Sequence, residues 1–283
     1  MPTTATGELV LAAHASGRGV AAFNVITLEH AEAITAAAER ARLPVILQIS
    51  ENAVKFHGGR LEPVLAAAAA VAGAASVPVA LHLDHVENED LLRAGVASGV
   101  SSVMFDASRL PYEQNVRATA RVTSWAHAHG VWVEAELGEV GGKDGAHAPG
   151  VRTDPGEAAA FIAATGVDSL AVAVGSSHAM TERTAHLDHH LIVRLRATAG
   201  VPLVLHGSSG VPDDDLRQAI TAGMTKVNIG TALNIAFTTT VRDRLAAEPT
   251  VVDPRRYLRP ARDAMTAAAA RLLRVVAGAP APS

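Results

Sequence analysis

Three histidines stand where an apolar run gives way to polar residues: His85 in Leu81-His82-Leu83-Asp84-His85, His178 in Val174-Gly175-Ser176-Ser177-His178, and His206 in Val204-Leu205-His206-Gly207-Ser208-Ser209-Gly210. The chain has no cysteine, so any metal or acid–base chemistry falls to imidazoles and carboxylates. Three imidazoles converging from separate elements leave the fourth position of a tetrahedral zinc open for substrate, as a catalytic site requires. Asp84 beside His85 makes a base-plus-ligand pair. On a strand His82 and Asp84 share a face, and His85 turns to that side only as the strand ends. Singly, each histidine has an ordinary reading: His82 as a hydrogen-bonded core residue, His85 as the lead into a helix capped by Asn88. The triple carries more weight than its members.

Other groups extend the constellation. Glu134 and Glu136 lie on one face of an apolar run, where a glutamate can accept a hydrogen bond from a ligating histidine. The glycine-rich turn Gly207-Ser208-Ser209-Gly210 and the segment Asn228-Ile229-Gly230-Thr231 offer backbone amides and hydroxyls of the kind that bind phosphate. Asp144 lies in a glycine-rich stretch, from which loop closure could deliver it to a site, or where it is simply an exposed turn residue. The histidines at positions 14, 57, 127, 129, 147, 186, 189 and 190 fall on expected helices or loops and are read as surface residues.

These groups need a scaffold that gathers the ends of several strands. Apolar runs at 20–26, 44–49, 77–83, 100–105, 131–137, 169–174, 202–205 and 226–229 alternate with stretches of helical period at 28–42, 62–75, 88–95, 112–129, 154–165, 189–199, 213–222 and 231–248. Eight βα units predict a single-domain TIM (β/α)8 barrel over residues 1–283, with a further helix at 261–276. Buried parallel strands should be apolar throughout, and these are, up to polar last positions that mark the barrel's C-terminal mouth. Those positions are Asn24, Gln48, Ser50, His82, Asp84, His85, Asp106, Glu134, Glu136, Ser176, His178, His206, Ser208, Ser209 and Asn228. One connection, Gly138 to Pro155, is long and rich in glycine, the composition of a lid or a disordered loop.

Composition narrows the function. With 49% hydrophobic and 18% charged residues the chain can build a sizeable core and is expected to be compact and soluble. A net charge of -4 with both signs interspersed, and only 3% aromatics, gives no footprint for nucleic acid. No secretory leader or membrane span is visible, so no membrane partner is expected and a cytoplasmic enzyme is.

From about Gly19 to Val276 these segments, in this order, resemble the class II fructose-bisphosphate aldolase family, including its tagatose-bisphosphate branch. His82-Leu83-Asp84-His85 is similar to the family's segment holding the catalytic aspartate and first zinc ligand. Val133-Glu134-Ala135-Glu136-Leu137-Gly138, running into Gly141-Gly142, resembles its fifth strand and mobile loop. His178 and His206-Gly207-Ser208-Ser209-Gly210 resemble the other two ligands and the phosphate loop, and Asp253-Pro254-Arg255 a C-terminal element whose arginine reaches a substrate phosphate from a neighbouring subunit.

The resemblance implies Zn2+ on His85, His178 and His206, with room for a monovalent cation such as Na+ or K+. Asp84, Glu134 and Asp144 are its implied catalytic groups, with His82 and Glu136 behind the ligands. Asn24, Ser50, Gly175, Gly207, Ser208, Ser209, Asn228, Thr231 and Arg255 are its implied substrate- and phosphate-binding residues. It further implies reversible cleavage of a phosphosugar such as fructose 1,6-bisphosphate to dihydroxyacetone phosphate and glyceraldehyde 3-phosphate, in a homodimer or homotetramer.

The chain departs from the common pattern at Asp144, where glutamate is usual, at Ala179, which replaces a glycine, at Glu182, which stands where a lysine is expected, and at Gly230, where many members carry aspartate. Lys143 and Lys226 leave a Schiff-base mechanism formally open, although Lys226 follows a strand start. More distant readings are a metal-dependent hydrolase, which more often carries His-x-His on a first strand that here offers only Asn24, and a phosphosugar-binding barrel without turnover.

Overall fold

The computed structural model describes residues 3–137, 151–178 and 180–278. Asp144, Lys143, Ala179, His147 and the Gly138 to Gly142 part of the expected lid lie outside the described residues. Eight strands form a closed barrel in which each pairs with the next in sequence and the last with the first, all parallel. They are β1 (Val20–Asn24), β2 (Val45–Ser50), β3 (Val79–Val86), β4 (Ser102–Phe105), β5 (Trp132–Glu136), β6 (Ser169–Ala171), β7 (Leu203–Leu205) and β8 (Met224–Ile229).

The helices are α1 (Thr6–Ala15), α2 (Leu28–Ala41), α3 (Glu51–Phe56), α4 (Glu62–Ala74), α5 (Glu89–Ala97), α6 (Tyr112–His127), α7 (Pro155–Thr165), α8 (His189–Ala199), α9 (Asp213–Ala222), α10 (Thr231–Ala247) and α11 (Arg255–Val276). Local chemistry explains several starts. Asn88 and Asp154 cap α5 and α7 through side-chain oxygens that accept backbone N–H groups. Thr27 and His30 form a reciprocal capping box at α2.

Two helices are absent from the sequence reading. Helix α1 lacks a side-chain N-cap bond, and it closes the N-terminal end of the barrel: Leu9, Val10 and Ala13 pack on Val20, Ala22, Ile46 and Ala80. Helix α3 spans only six residues, capped by Ser50, whose Oγ accepts from Ala53 N at 3.2 Å. The final helix begins at Arg255 rather than 261, with Pro260 inside it, and lies between α2 and α10. A proline six residues into a helix reads as a boundary in sequence, yet burial of Ala261, Met265, Ala269, Leu272 and Leu273 on one face outweighs the lost bond.

The barrel interior is more polar, and more deeply so, than an apolar-strand rule predicts. Gln48, His82, Glu134 and Lys226 are all essentially inaccessible to solvent. Register places Gln48 beside both Asn24 and His82, and Ser50 beside Asp84, so the polar side chains form a connected layer below the mouth.

Candidate functional site

The histidine triple depends on an irregularity in β3. The strand continues to Val86 instead of stopping at 83, and its register with β4 shifts between Leu83 and Val86. At that shift His85 takes φ 49°, a left-handed conformation uncommon for a residue with a Cβ. Strict alternation would send Asp84 and His85 to opposite faces; the bulge brings both to the mouth. His178 follows β6, and His206 directly follows β7.

The three rings meet nearly edge to face, with centroids 4.7 Å (His85–His206), 5.3 Å (His85–His178) and 5.8 Å (His178–His206) apart. One nitrogen from each lies within 4.8 Å of the others, a cluster that could hold a metal ion. His85 Nε2 and His206 Nδ1 are 3.0 Å apart. Two zinc–nitrogen bonds of about 2.0–2.1 Å at a tetrahedral angle would separate their nitrogens by about 3.3 Å, close to that spacing.

The opposite ring nitrogens are engaged by carboxylates. Asp106 Oδ2 lies 2.8 Å from His85 Nδ1, and Glu134 Oε1 lies 3.0 Å from His206 Nε2. Asn228 Nδ2 also lies 2.9 Å from His206 Nε2. With the proton on Nδ1 of His85 and on Nε2 of His206, each carboxylate accepts an imidazole N–H and the other nitrogen is left bare and facing the cluster, as metal ligation requires. The donor set therefore fits a divalent metal. Glu136 Oε2 comes within 4.0 Å of His85 Nδ1, and His85, Asp106 and Glu136 form a second grouping of metal-capable atoms.

Asp84 sits beside the triple and is almost wholly buried. Amide nitrogens of Asn24, Gln48 and Asn228 each lie 3.4 Å from one of its oxygens. Gln48 also donates to Asn24 Oδ1 at 3.0 Å, which ties the amides into one fan. His82 does not touch the cluster: its Nδ1 meets Ser102 Oγ at 2.7 Å, deep in the barrel. Burial first, and then the nearby Lys226 charge, push its pKa well below the ordinary imidazole value, so it is neutral.

Above these residues opens a cleft of about 460 Å³. Asn24, Ser50, Asp84, His85, His178, Gly207, Ser208, Ser209, Asn228 and Thr231 line it, as expected from the sequence. Gly207 has φ 65°, and a Cβ there would lie 2.5 Å from the Ser177 carbonyl, so only glycine lets the β7 turn pass so close to the His178 segment. Ser208 donates to the Asn228 carbonyl at 2.6 Å, and Ser209 Oγ accepts from Ala232 N at 3.1 Å, locking this turn to the start of α10.

The remaining expected residues lie elsewhere. Gly175 does not line the cleft; its Cα faces the His186 carbonyl, 2.4 Å from where a Cβ would be. Glu134, Glu136 and His82 lie below the cleft floor rather than in it. Arg255 does not line the cleft of its own chain: it is 84% exposed and held to Asp253 by paired hydrogen bonds of 3.0 and 2.8 Å. The structure adds Asp106, whose signal was its place at the end of β4, and Lys226, whose Nζ is 2.8 Å from Glu134 Oε2. Nothing in the spacing of Lys226 and Glu134, 92 residues apart, pairs them. Asn52, Lys55, Glu87, Arg109, Gly230 and Asn234 also line the cleft.

With this geometry in hand, known proteins give it a context. The family model for class-II fructose-bisphosphate aldolase matches residues 4–279. The chain is 43% identical over 251 residues to a fructose-bisphosphate aldolase of Geobacillus stearothermophilus, covering 88% of each. It is 40% identical over 285 residues to one of Thermus caldophilus, covering 91% of this chain and 92% of that protein. Among solved structures it resembles the YdjI aldolase from Escherichia coli K12, with a TM-score of 0.82, 30% identity and 97% of both chains covered. A barrel that carries these histidines and an adjacent aspartate, matched by that family along nearly its whole length, belongs to the class II fructose-bisphosphate aldolases and is an aldehyde-lyase.

Proposed function

We propose that this aldolase is zinc-dependent and reversibly cleaves a ketose phosphate, with fructose 1,6-bisphosphate as the leading substrate and dihydroxyacetone phosphate and glyceraldehyde 3-phosphate as its products. The observation that carries this reading is the cluster of His85, His178 and His206 with the Asp84 carboxylate beside it at the cleft floor. A zinc ion held by the three imidazoles supplies Lewis acidity to the substrate carbonyl.

The chain's own residues do the rest. The amide fan of Asn24, Gln48 and Asn228 orients the Asp84 carboxylate, which takes the hydroxyl proton as the carbon–carbon bond breaks and returns it in condensation. The turn at Ser208 and Ser209 offers a phosphate its backbone N–H groups and the Ser209 hydroxyl, and the N-terminal end of α10 adds the Thr231 hydroxyl and the helix dipole. Ser50, on the facing rim, borders the same space. We assign the proton exchange on the dihydroxyacetone phosphate carbon to the loop carboxylate of Asp144. A monovalent cation, Na+ or K+, is an additional proposed occupant of the phosphate side.

Tagatose 1,6-bisphosphate is the second candidate, because Gly230 stands where many fructose-bisphosphate members carry an aspartate. A Cβ at 230 would lie 2.8 Å from Asn24 Oδ1, so Asn24 occupies the space beside it.

The test is a coupled assay on fructose and tagatose 1,6-bisphosphates and their 1-phosphates, before and after exhaustive chelation. Activity on a bisphosphate that disappears with the metal and returns with Zn2+ is expected. Full activity in metal-free protein would refute zinc dependence, and turnover of neither bisphosphate would refute the substrate.

A further inference from the structure

We propose that Lys226 is a positioning residue for His206, acting through Glu134 across the barrel interior, and that it forms no covalent bond with substrate. The inference rests on the metal-dependent reading above and names a residue that reading does not use. Lys226 on β8 places Nζ 2.8 Å from Glu134 Oε2 on β5, and Glu134 Oε1 lies 3.0 Å from His206 Nε2 just past β7. Both side chains of the ion pair are 1% exposed and His206 is fully buried. The line of contacts thus ends on a proposed metal ligand and has no solvent along it.

The arrangement has a reason beyond stability. A buried ion pair is weak evidence for stability, because an apolar pair of similar volume is often as good or better. What an apolar pair cannot do is accept the Nε2–H of His206 and so direct the bare Nδ1 towards His85 Nε2, 3.0 Å away. Glu134 can do so as a carboxylate only with its second oxygen satisfied, and Lys226 is the group placed there. His85 is oriented in the opposite sense, through Asp106 on Nδ1, so the two ligands depend on separate carboxylates. Lys226 does not line the cleft, which places it away from any substrate carbonyl.

The test compares the wild-type protein with Lys226→Met, Lys226→Gln and the double variant Glu134→Leu/Lys226→Met. Five quantities are read: Zn2+ affinity by competition with a chromogenic chelator, the visible spectrum of the Co2+-loaded protein, kcat and KM at saturating metal, and the melting temperature of the metal-free protein. The double variant is expected to melt near the wild type while its Zn2+ affinity falls about 10–100-fold and its Co2+ spectrum changes. Lys226→Gln, which keeps a donor to Glu134, is expected to hold metal better than Lys226→Met, and kcat to fall more than KM changes. If the Met variants fail to fold, Lys226→Gln against the wild type decides. Wild-type Zn2+ affinity and an unaltered Co2+ spectrum in the folded variants would overturn the proposal, as would a borohydride-trapped substrate adduct on Lys226. A wild-type protein that binds neither ion would instead overturn the metal-dependent reading itself.

Discussion

At the scale of single residues, chemistry is concentrated where the barrel is least regular. Asp84 and His85 are adjacent in sequence and line the same cleft where His85 takes a left-handed backbone. Replacing Asp84 by Asn keeps the side chain's size and removes the carboxylate. Turnover is expected to fall by about 10²–10⁴-fold, the range for a lost general base, while zinc content by elemental analysis stays at the wild-type level. Parallel loss of metal and activity would assign Asp84 to the metal rather than to the proton. His178→Ala removes one of the three proposed ligands instead, so zinc content itself is expected to drop. Ser209→Ala leaves these groups untouched and takes a hydroxyl from the turn we propose to bind phosphate; it is expected to raise KM for a phosphorylated ketose several-fold with little change in kcat.

At the scale of elements, the two ends of the barrel have separate duties. The C-terminal end carries the cleft, whereas α1 seals the N-terminal end with Leu9, Val10 and Ala13. Val10 is wholly inaccessible. Val10→Ala deletes two buried methyl groups and is expected to cost about 2 kcal/mol, read as a lower urea midpoint at constant m-value, without altering KM. An altered KM would mean that the seal and the cleft are coupled.

At the scale of the whole molecule, acid should unfold the protein partly through two buried imidazoles. His82 is neutral because burial and then Lys226 depress its pKa, and burial likewise lowers that of His30 on α2, whose ring meets Asn234 of α10. A group with a depressed folded pKa takes up its proton more readily unfolded, so stability is full above about pH 6.5 and declines as pH falls towards the folded values. Urea melts from pH 7.5 to 5 should show this decline, and His30→Gln should flatten it; a flat profile in the wild type would contradict the burial argument. Assembly is the other question at this scale. Arg255 is outside its own cleft, so our proposal that it binds phosphate requires a second subunit, in a homodimer or homotetramer. Mixed oligomers of Asp84→Asn and Arg255→Ala chains then contain one complete site and should regain activity that neither parent has. No recovery on mixing would place Arg255 outside catalysis.

Much of this was legible in the chain itself. Periodicity of eight apolar runs marked the barrel, because buried parallel strands must be apolar on both faces and helices on one. The abrupt polar ends marked its mouth, and ten of the expected binding and catalytic residues do line one cleft. Tertiary structure alone decided the rest. The β3 bulge depends on pairing with β4, α1 on the cavity it fills, and the α11 start on packing that overrides Pro260. The Lys226–Glu134–His206 line joins three strands across the barrel interior. Local propensity acts over a few residues and records which groups point inward, but the partners they meet there are set by closure of the barrel.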